Sequence, residues 1–361
     1  MSGKQEFYEL IEKGRSGGNL GLSVGIPKLE LYMDGYLPGT SYLIGAQSGV
    51  GKTTFTLYTL VYRPLMDFLS GNNTNRDPYW IMFPLEMTRP QIYAKLISMY
   101  IFDTYGEQIN FKEIFSRGKN TMLSDNKYDL IVNCDNFLNI LDERLIFIDG
   151  YLNASRYEEH VKNSLKRFGT FKNDSFIPNN PDQVVGVLID HMSLIRQSSG
   201  RTKKEEMDLI SSYSVQFRNK CGIISPIHVM QFNRDSGNSE RLKQSLQEPT
   251  MSDFKDSGAM YEDSQVVFAL YNPFKYKKPN HNGYNIKELQ QNYIACILLK
   301  SRFGSSDIAT SLGFYGDCSY FKELPRAESI TDYQKYTNPY WILESNELID
   351  NKKSNNCKLT L

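Results

Sequence analysis

The 361-residue chain has no apolar run long enough to cross a membrane. Its longest, around Val184–Ile189 and Tyr293–Leu299, are strand-sized, against the roughly 20 residues that a spanning helix needs. The opening MSGKQEFYELIEKG has no apolar core of signal-peptide type, so a cytoplasmic protein with no membrane partner is expected. Cysteine is scarce and scattered. Cys134, Cys221, Cys296, Cys318 and Cys357 are odd in number and none are at CxxC spacing, which suggests neither a disulfide framework nor a zinc site. Charge excess is absent too: 41 Lys and Arg balance 41 Asp and Glu. That balance excludes a long basic arm, a polyacidic tail and a protein that coats nucleic acid by bulk electrostatics. No internal repeat is present. What remains is a chain 40% hydrophobic and 23% charged, with globular values and enough length to bury a large core without staples.

Apolar, β-branched or aromatic runs recur at Tyr42–Ile44, Tyr79–Phe83, Leu145–Ile148, Val184–Ile189 and Ile223–Met230, then at Val266–Leu270, Tyr293–Leu299 and Leu312–Tyr315. Segments of helical period lie between the first five: Thr53–Tyr62, Gln91–Ile101, Arg156–Phe168 and Glu205–Lys220. Such alternation predicts an α/β fold, a mostly parallel twisted sheet with helices on both faces. The last runs follow one another with little helix between them, which predicts antiparallel strands at the C-terminal end. Ser70–Asp77 and Phe171–Asp182, rich in Asn, Asp and Pro, read as surface loops. Phe7, Leu10 and Ile11 share one face of a short N-terminal helix, marginal alone and therefore expected to dock, on its own core or on a neighbouring subunit. The divisions expected are an N-terminal, linker-like helix over 1–19, the α/β domain over 20–325 and a polar tail over 326–361, closing in a frayed NKKSNNCKLTL.

Ala46-Gln47-Ser48-Gly49-Val50-Gly51-Lys52-Thr53 follows the first strand and opens a helix. Strand, Gly-rich turn, Gly-Lys-Thr and helix are the context of a P-loop, with Ala46 standing where Gly usually opens the pattern. Backbone N–H groups from Ser48 to Lys52 can wrap a β-phosphate, and the helix N-terminus favours the same charge. Lys52 brings a cation to the β/γ-phosphates, Thr53 a hydroxyl ligand for Mg²⁺, and Thr54 continues the loop into the helix. The implied cofactors are ATP and Mg²⁺.

Hydrolysis needs a metal-side carboxylate and a group that activates water, both beyond the C-terminal ends of buried strands. Glu86, Asp149 and Asp190 follow such strands, and spacing alone does not rank the two aspartates. Glu86 precedes Thr88-Arg89-Pro90-Gln91, a capping box for the next helix. Gln231 closes the strand Ile223–Met230 and can hydrogen-bond a γ-phosphate. Lys300 and Arg302, two apart and on one face of their strand, are either snorkelling edge residues or an anion clamp of arginine-finger type.

The order of these segments resembles the ATPase domain of DnaB-type hexameric replicative helicases, a RecA-like fold. GLSVGIPKLELYMDGYLPGTSYLIGAQSGVGKTTF is similar to that family's run into its P-loop, Ala46 included. PLEMTRPQ resembles its Leu-Glu-Met segment, which implies that Glu86 polarises the attacking water. VVGVLIDHMSLI resembles its Walker B strand and assigns the metal-side carboxylate to Asp190. IISPIHVMQFNR implies a γ-phosphate sensor at Gln231, and LLKSRFG implies that Lys300 and Arg302 reach a neighbouring subunit's nucleotide. EPTMSDFKDSGAMYEDSQVVFALY resembles the loop that grips single-stranded DNA, implying contacts from Lys255, Asp256 and Gly258. His191, Met192 and Ser193 depart from the aromatic and Gln usual after the Walker B aspartate, and the family's separate N-terminal domain is missing.

The resemblance implies a homo-oligomeric ring, expected to be a hexamer, that translocates on single-stranded DNA with primase or a loader as further partners. RQSSGRTKK, Arg196–Lys204, has four cations and no acid directly after the Walker B strand, so Arg201, Lys203 and Lys204 join the expected DNA contacts. Two rival readings stand beside this one. A RecA-like strand-pairing recombinase usually lacks the SDxxxSG pattern of Ser252–Gly258. A non-unwinding, ATP-gated scaffold or loader is suggested by the missing N-terminal domain.

Overall fold

The computed structural model describes residues 2–71, 76–173, 175–232 and 247–345. Nine strands form one sheet in the order β13-β12-β11-β8-β1-β7-β6-β2-β3. They are β1 (Tyr42–Ala46), β2 (Asp77–Pro84), β3 (Leu145–Phe147), β6 (Gln183–Asp190), β7 (Ile224–Gln231), β8 (Val266–Tyr271), β11 (Tyr293–Ser301), β12 (Ile308–Tyr315) and β13 (Tyr320–Glu323). The run from β8 to β3 is parallel throughout, and β12 pairs with β13 antiparallel. This is the mostly parallel sheet with an antiparallel end that strand–helix alternation predicts. The continuous apolar wording of β6, VVGVLI, follows from burial on both faces.

The described residues fall into two compact units. The first is drawn from Met1–Tyr93, Asn136–Tyr271 and Cys296–Thr310, the second from Ala94–Asp135, Asn272–Ala295 and Ser311–Leu361. The first unit begins with α1 (Gly3–Arg15), capped by the Ser2 side chain on the Gln5 amide, and α2 (Pro27–Met33). The P-loop helix is built in three pieces: α3 (Lys52–Leu57), a π-turn (Tyr58–Tyr62) and α4 (Arg63–Leu69). Pro64 explains the irregularity, because it has no N–H to offer the Leu60 carbonyl. That carbonyl accepts the indole N–H of Trp80 instead, at 2.7 Å. After β3 come α9 (Ala154–Leu165), a β4–β5 hairpin (Gly169–Lys172 with Ser175–Pro178) and, after β6, α10 (Lys203–Cys221). A capping box of Thr202 and Glu205 starts α10, and Gly222 in the left-handed region ends it.

The second unit holds α6 (Phe111–Ile114) and α7 (Asp125–Val132). α5 (Arg89–Tyr105) and α8 (Asp135–Arg144) supply residues to both units. Phe102 packs edge-on to Tyr320, whose hydroxyl donates to Asp103 at 2.6 Å.

Two sequence expectations are corrected. Phe171–Asp182 is not simply a loop: Phe171 stacks edge-on with Phe176 across the β4–β5 hairpin. The segment after Ala327 is folded as far as Ser345, with Trp341 and Ile342 buried and the Trp341 indole donating to the Tyr315 hydroxyl at 2.6 Å. The expected frayed end, 351–361, lies outside the described residues.

Candidate nucleotide site

Because β1, β7, β6 and β2 are parallel neighbours, their C-terminal ends share one edge of the sheet. The P-loop, Gln231, Asp190 and Glu86 gather there. Ala46, Ser48, Gly49, Val50 and Gly51 turn from β1 into α3, with φ of +69° at Gly49 and +94° at Gly51. Those angles suit glycine and curl successive amides toward one point. Lys52 is buried at the turn and its ammonium donates to the Gln47 carbonyl at 3.2 Å. Thr54 is buried behind it.

Gln231 stands directly beside Ala46 in the β1–β7 register, and the following Phe232 amide donates to the Ala46 carbonyl at 3.0 Å. Asp190 pairs in register with Pro84, and its carbonyl accepts the amides of Leu85, at 2.9 Å, and Glu86, at 3.2 Å. The backbone therefore fixes the water-activating candidate to the metal-side candidate. Thr53 and Asp190 line one small cavity with Leu57, Met82, Phe83, Pro84, Ile92 and Leu188. A hydroxyl and a carboxylate facing the same cleft are the hard oxygen donors that Mg²⁺ takes along with substrate phosphates, so these residues fit the cation.

His191 is the residue whose place the sequence leaves blank. It is buried, and its Nε2 lies 3.7 Å from the Glu86 carboxylate. Burial holds its pKa below the usual histidine range, helped by Lys52 and Lys203 and opposed by Glu86. The signal in the sequence is the departure at His191 itself.

Asp149, unranked by spacing, ion-pairs with Arg89 at the turn after β3 and does not line the cleft shared by Thr53 and Asp190. Lys300 and Arg302 are not brought to this P-loop. The Arg302 amide donates to the Gln265 carbonyl at 3.0 Å, and the Gln265 amide to the Ser41 carbonyl at 3.0 Å. Both contacts lie at the N-terminal ends of β8 and β1, the edge opposite the P-loop. Lys300 donates to the carbonyls of Tyr261 and Glu262, 2.9 and 2.8 Å away, at the end of the helix Gly258–Asp263. Burial foremost, then Arg302, lowers its pKa.

Among the expected DNA contacts, Arg201 faces Glu206 at 3.7 Å, Lys203 donates to the Ser193 carbonyl, and Lys204 is exposed. Gly258 opens its helix with open space where a Cβ would stand. The side chains of Lys255 and Asp256 lie outside the described residues, as does most of the stretch from Arg234 to Lys255. Phe254, just before them, meets Phe232 edge-on at 5.1 Å. Both rings press on Gly45, where a Cβ would come within 2.4 Å of each. The segments bearing Gln231 and Lys255 thus share one packing contact with the strand that carries the P-loop.

The model of the DnaB-like helicase C-terminal domain matches residues 21–323. The replicative DNA helicase DnaB of Helicobacter pylori is 24% identical over 280 residues, 76% of this chain and 49% of that protein. The replicative DNA helicase DnaC of Bacillus subtilis is 23% identical over 323 residues, 89% of this chain and 61% of that protein. The chain thus spans about half to three fifths of the length of these relatives. A solved structure of a DnaB-like replicative helicase, studied with its interactions with primase, has the same fold at a TM-score of 0.65 and 18% identity, over 90% of this chain and 67% of that one.

Proposed function

The chain belongs to the DnaB-like helicase C-terminal domain family, and from that premise we propose that it is an ATP-driven replicative DNA helicase motor. One observation carries the reading: P-loop, Gln231, Asp190 and Glu86 occupy adjacent strand ends on a single sheet edge. Lys52 and the amides of Ser48–Gly51 bind the phosphates of ATP. Thr53 and Asp190 hold Mg²⁺, which when bound neutralises charge on the β- and γ-phosphates. Glu86 orients water for in-line attack and takes its proton. Gln231, beside Ala46, senses the γ-phosphate and passes its loss to the segment that follows.

Lys300 and Arg302, on the opposite sheet edge, reach the nucleotide of a neighbouring copy and stabilise charge in the transition state. Chemistry divided in this way needs a closed homo-oligomer, which we take as a hexameric ring around single-stranded DNA. Arg201, Lys203, Lys204, Lys255, Asp256 and Gly258 form its DNA-facing side, and the ring works in the cytoplasm. Primase is a candidate partner, since a family member of the same fold was solved with its primase interactions in view. Among the described residues no helix is long and apolar enough to cross a membrane.

The test is unwinding of a forked duplex, with ATP turnover measured with and without single strands. Single-strand-stimulated turnover with fork opening is expected. Turnover without any opening, at every protein concentration, would refute the helicase reading.

A further inference from the structure

The loops that leave β3 and β6 meet on the same sheet edge, where the Arg196 amide donates to the Leu152 carbonyl at 2.7 Å. At that junction Tyr151 is 45% exposed. The Arg156 guanidinium lies 4.4 Å from its ring centroid and that of Arg196 lies 5.2 Å away. Nearby carboxylates are already engaged. Asp149 pairs with Arg89, while Glu206, fully buried, accepts the amides of Ala154 and Ser198 and faces Arg201. Among the described residues no carboxylate ion-pairs with Arg156 or Arg196. Arg156 has a contact to His160 at 3.3 Å, and its Nε is buried without an acceptor.

Two like charges gathered on one tyrosine repel each other, and a cation–π contact at an exposed site returns only about 0.5–1 kcal/mol per cation. An anion placed between them turns that repulsion into charge-assisted hydrogen bonds, and the planar guanidinium fork matches phosphate oxygens. The site is an open edge, linked to Arg201 through Glu206, and not a closed pocket, so it fits a chain of phosphates better than a free ion.

We propose that Arg156 and Arg196, carried on Tyr151, clamp a backbone phosphate of single-stranded DNA. Tyr151 is a positioning residue in this clamp. The inference rests on the motor reading and extends its DNA-facing side to the loop after β3.

Fluorescence anisotropy of a labelled oligothymidylate tests it, using the full chain with a non-hydrolysable ATP analogue across a salt series. In R156Q/R196Q the slope of log affinity against log salt falls by about 0.7 for each protomer engaged, and affinity falls roughly tenfold. Y151F, which keeps the ring, retains the wild-type slope and affinity, whereas Y151A weakens binding. An unchanged slope in R156Q/R196Q overturns the clamp while the motor reading stands. A wild-type chain that binds no oligothymidylate at any salt overturns the reading beneath it. Should the glutamine pair unfold, R156K/R196K keeps the charge without the fork, and wild-type affinity in that variant also overturns the clamp. Inorganic phosphate, matched in ionic strength with chloride, separates the two sources of phosphate. Displacing the strand from wild type alone would mark a free-anion site and overturn the proposal; equal effects on wild type and R156Q/R196Q support the polymer.

Discussion

At Glu86 the carboxylate is half exposed while its backbone is tied to Asp190, so chemistry can be removed there without disturbing the fold. Glu86→Gln is expected to keep ATP binding and lower turnover roughly a hundredfold or more; weak nucleotide binding in that variant would show that the residue holds phosphate instead. His228 makes a different prediction. It is fully buried in β7 beside Ser214, and burial pushes its pKa down to about 4. Above about pH 6.5 the imidazole is neutral in folded and unfolded chains alike and shifts nothing. Below that the unfolded chain takes the proton first, so stability is lost as pH falls from about 6.5 toward about 4, by roughly 2–3 kcal/mol at pH 4.5. Urea unfolding at pH 7 and pH 4.5 should show a smaller acid loss in His228→Gln than in wild type. Equal losses would mean that burial does not set this proton.

At the scale of elements, the P-loop helix depends on a contact far along the chain. Trp80 in β2 satisfies the Leu60 carbonyl that Pro64 leaves open. Trp80→Phe keeps an aromatic ring but strands a buried acceptor, and is expected to cost about 1–3 kcal/mol. Denaturant midpoints check this, and a neutral effect would show that the π-turn closes without the indole. The same distinction between local and distant causes explains what could be read in advance. The P-loop is legible because its strand, turn and helix signals are local, and runs such as VVGVLI declare burial on both faces, whereas spacing alone leaves Asp190 unranked against Asp149. The β4–β5 hairpin is hidden by Asn, Asp and Pro around Phe171 and Phe176. Tyr340–Leu343 is a short apolar run in an otherwise polar segment, and the burial of Trp341 and Ile342 within it rests on partners such as Tyr315. The proximity of His191 to Glu86 needs the β2–β6 register, which no short pattern encodes.

At the scale of the whole molecule, β1 separates the two proposed half-sites. The P-loop follows its C-terminal end, whereas Arg302 is tied through Gln265 to Ser41 at its start. Arg302→Ala and Lys52→Ala should each abolish turnover alone. Mixed, they should regain part of it, because some interfaces then join an intact P-loop to an intact arginine. No recovery across mixing ratios would mean that Arg302 does not act in trans. The exposed α1 face of Phe7, Leu10 and Ile11 is a separate matter, since none of the described residues covers it.

Placing the proposed phosphate cradle and its proposed charge-stabilising partners at opposite ends of one strand also has a genetic meaning. In a ring assembled from such chains, a copy that folds normally but lacks one half-site spoils an interface it shares with a healthy neighbour. Output would then drop faster than the fraction of defective chains rises. Alleles altered at Lys52 or Arg302 would behave as dominant, while alleles that merely unfold the chain, and so never enter the ring, would be recessive.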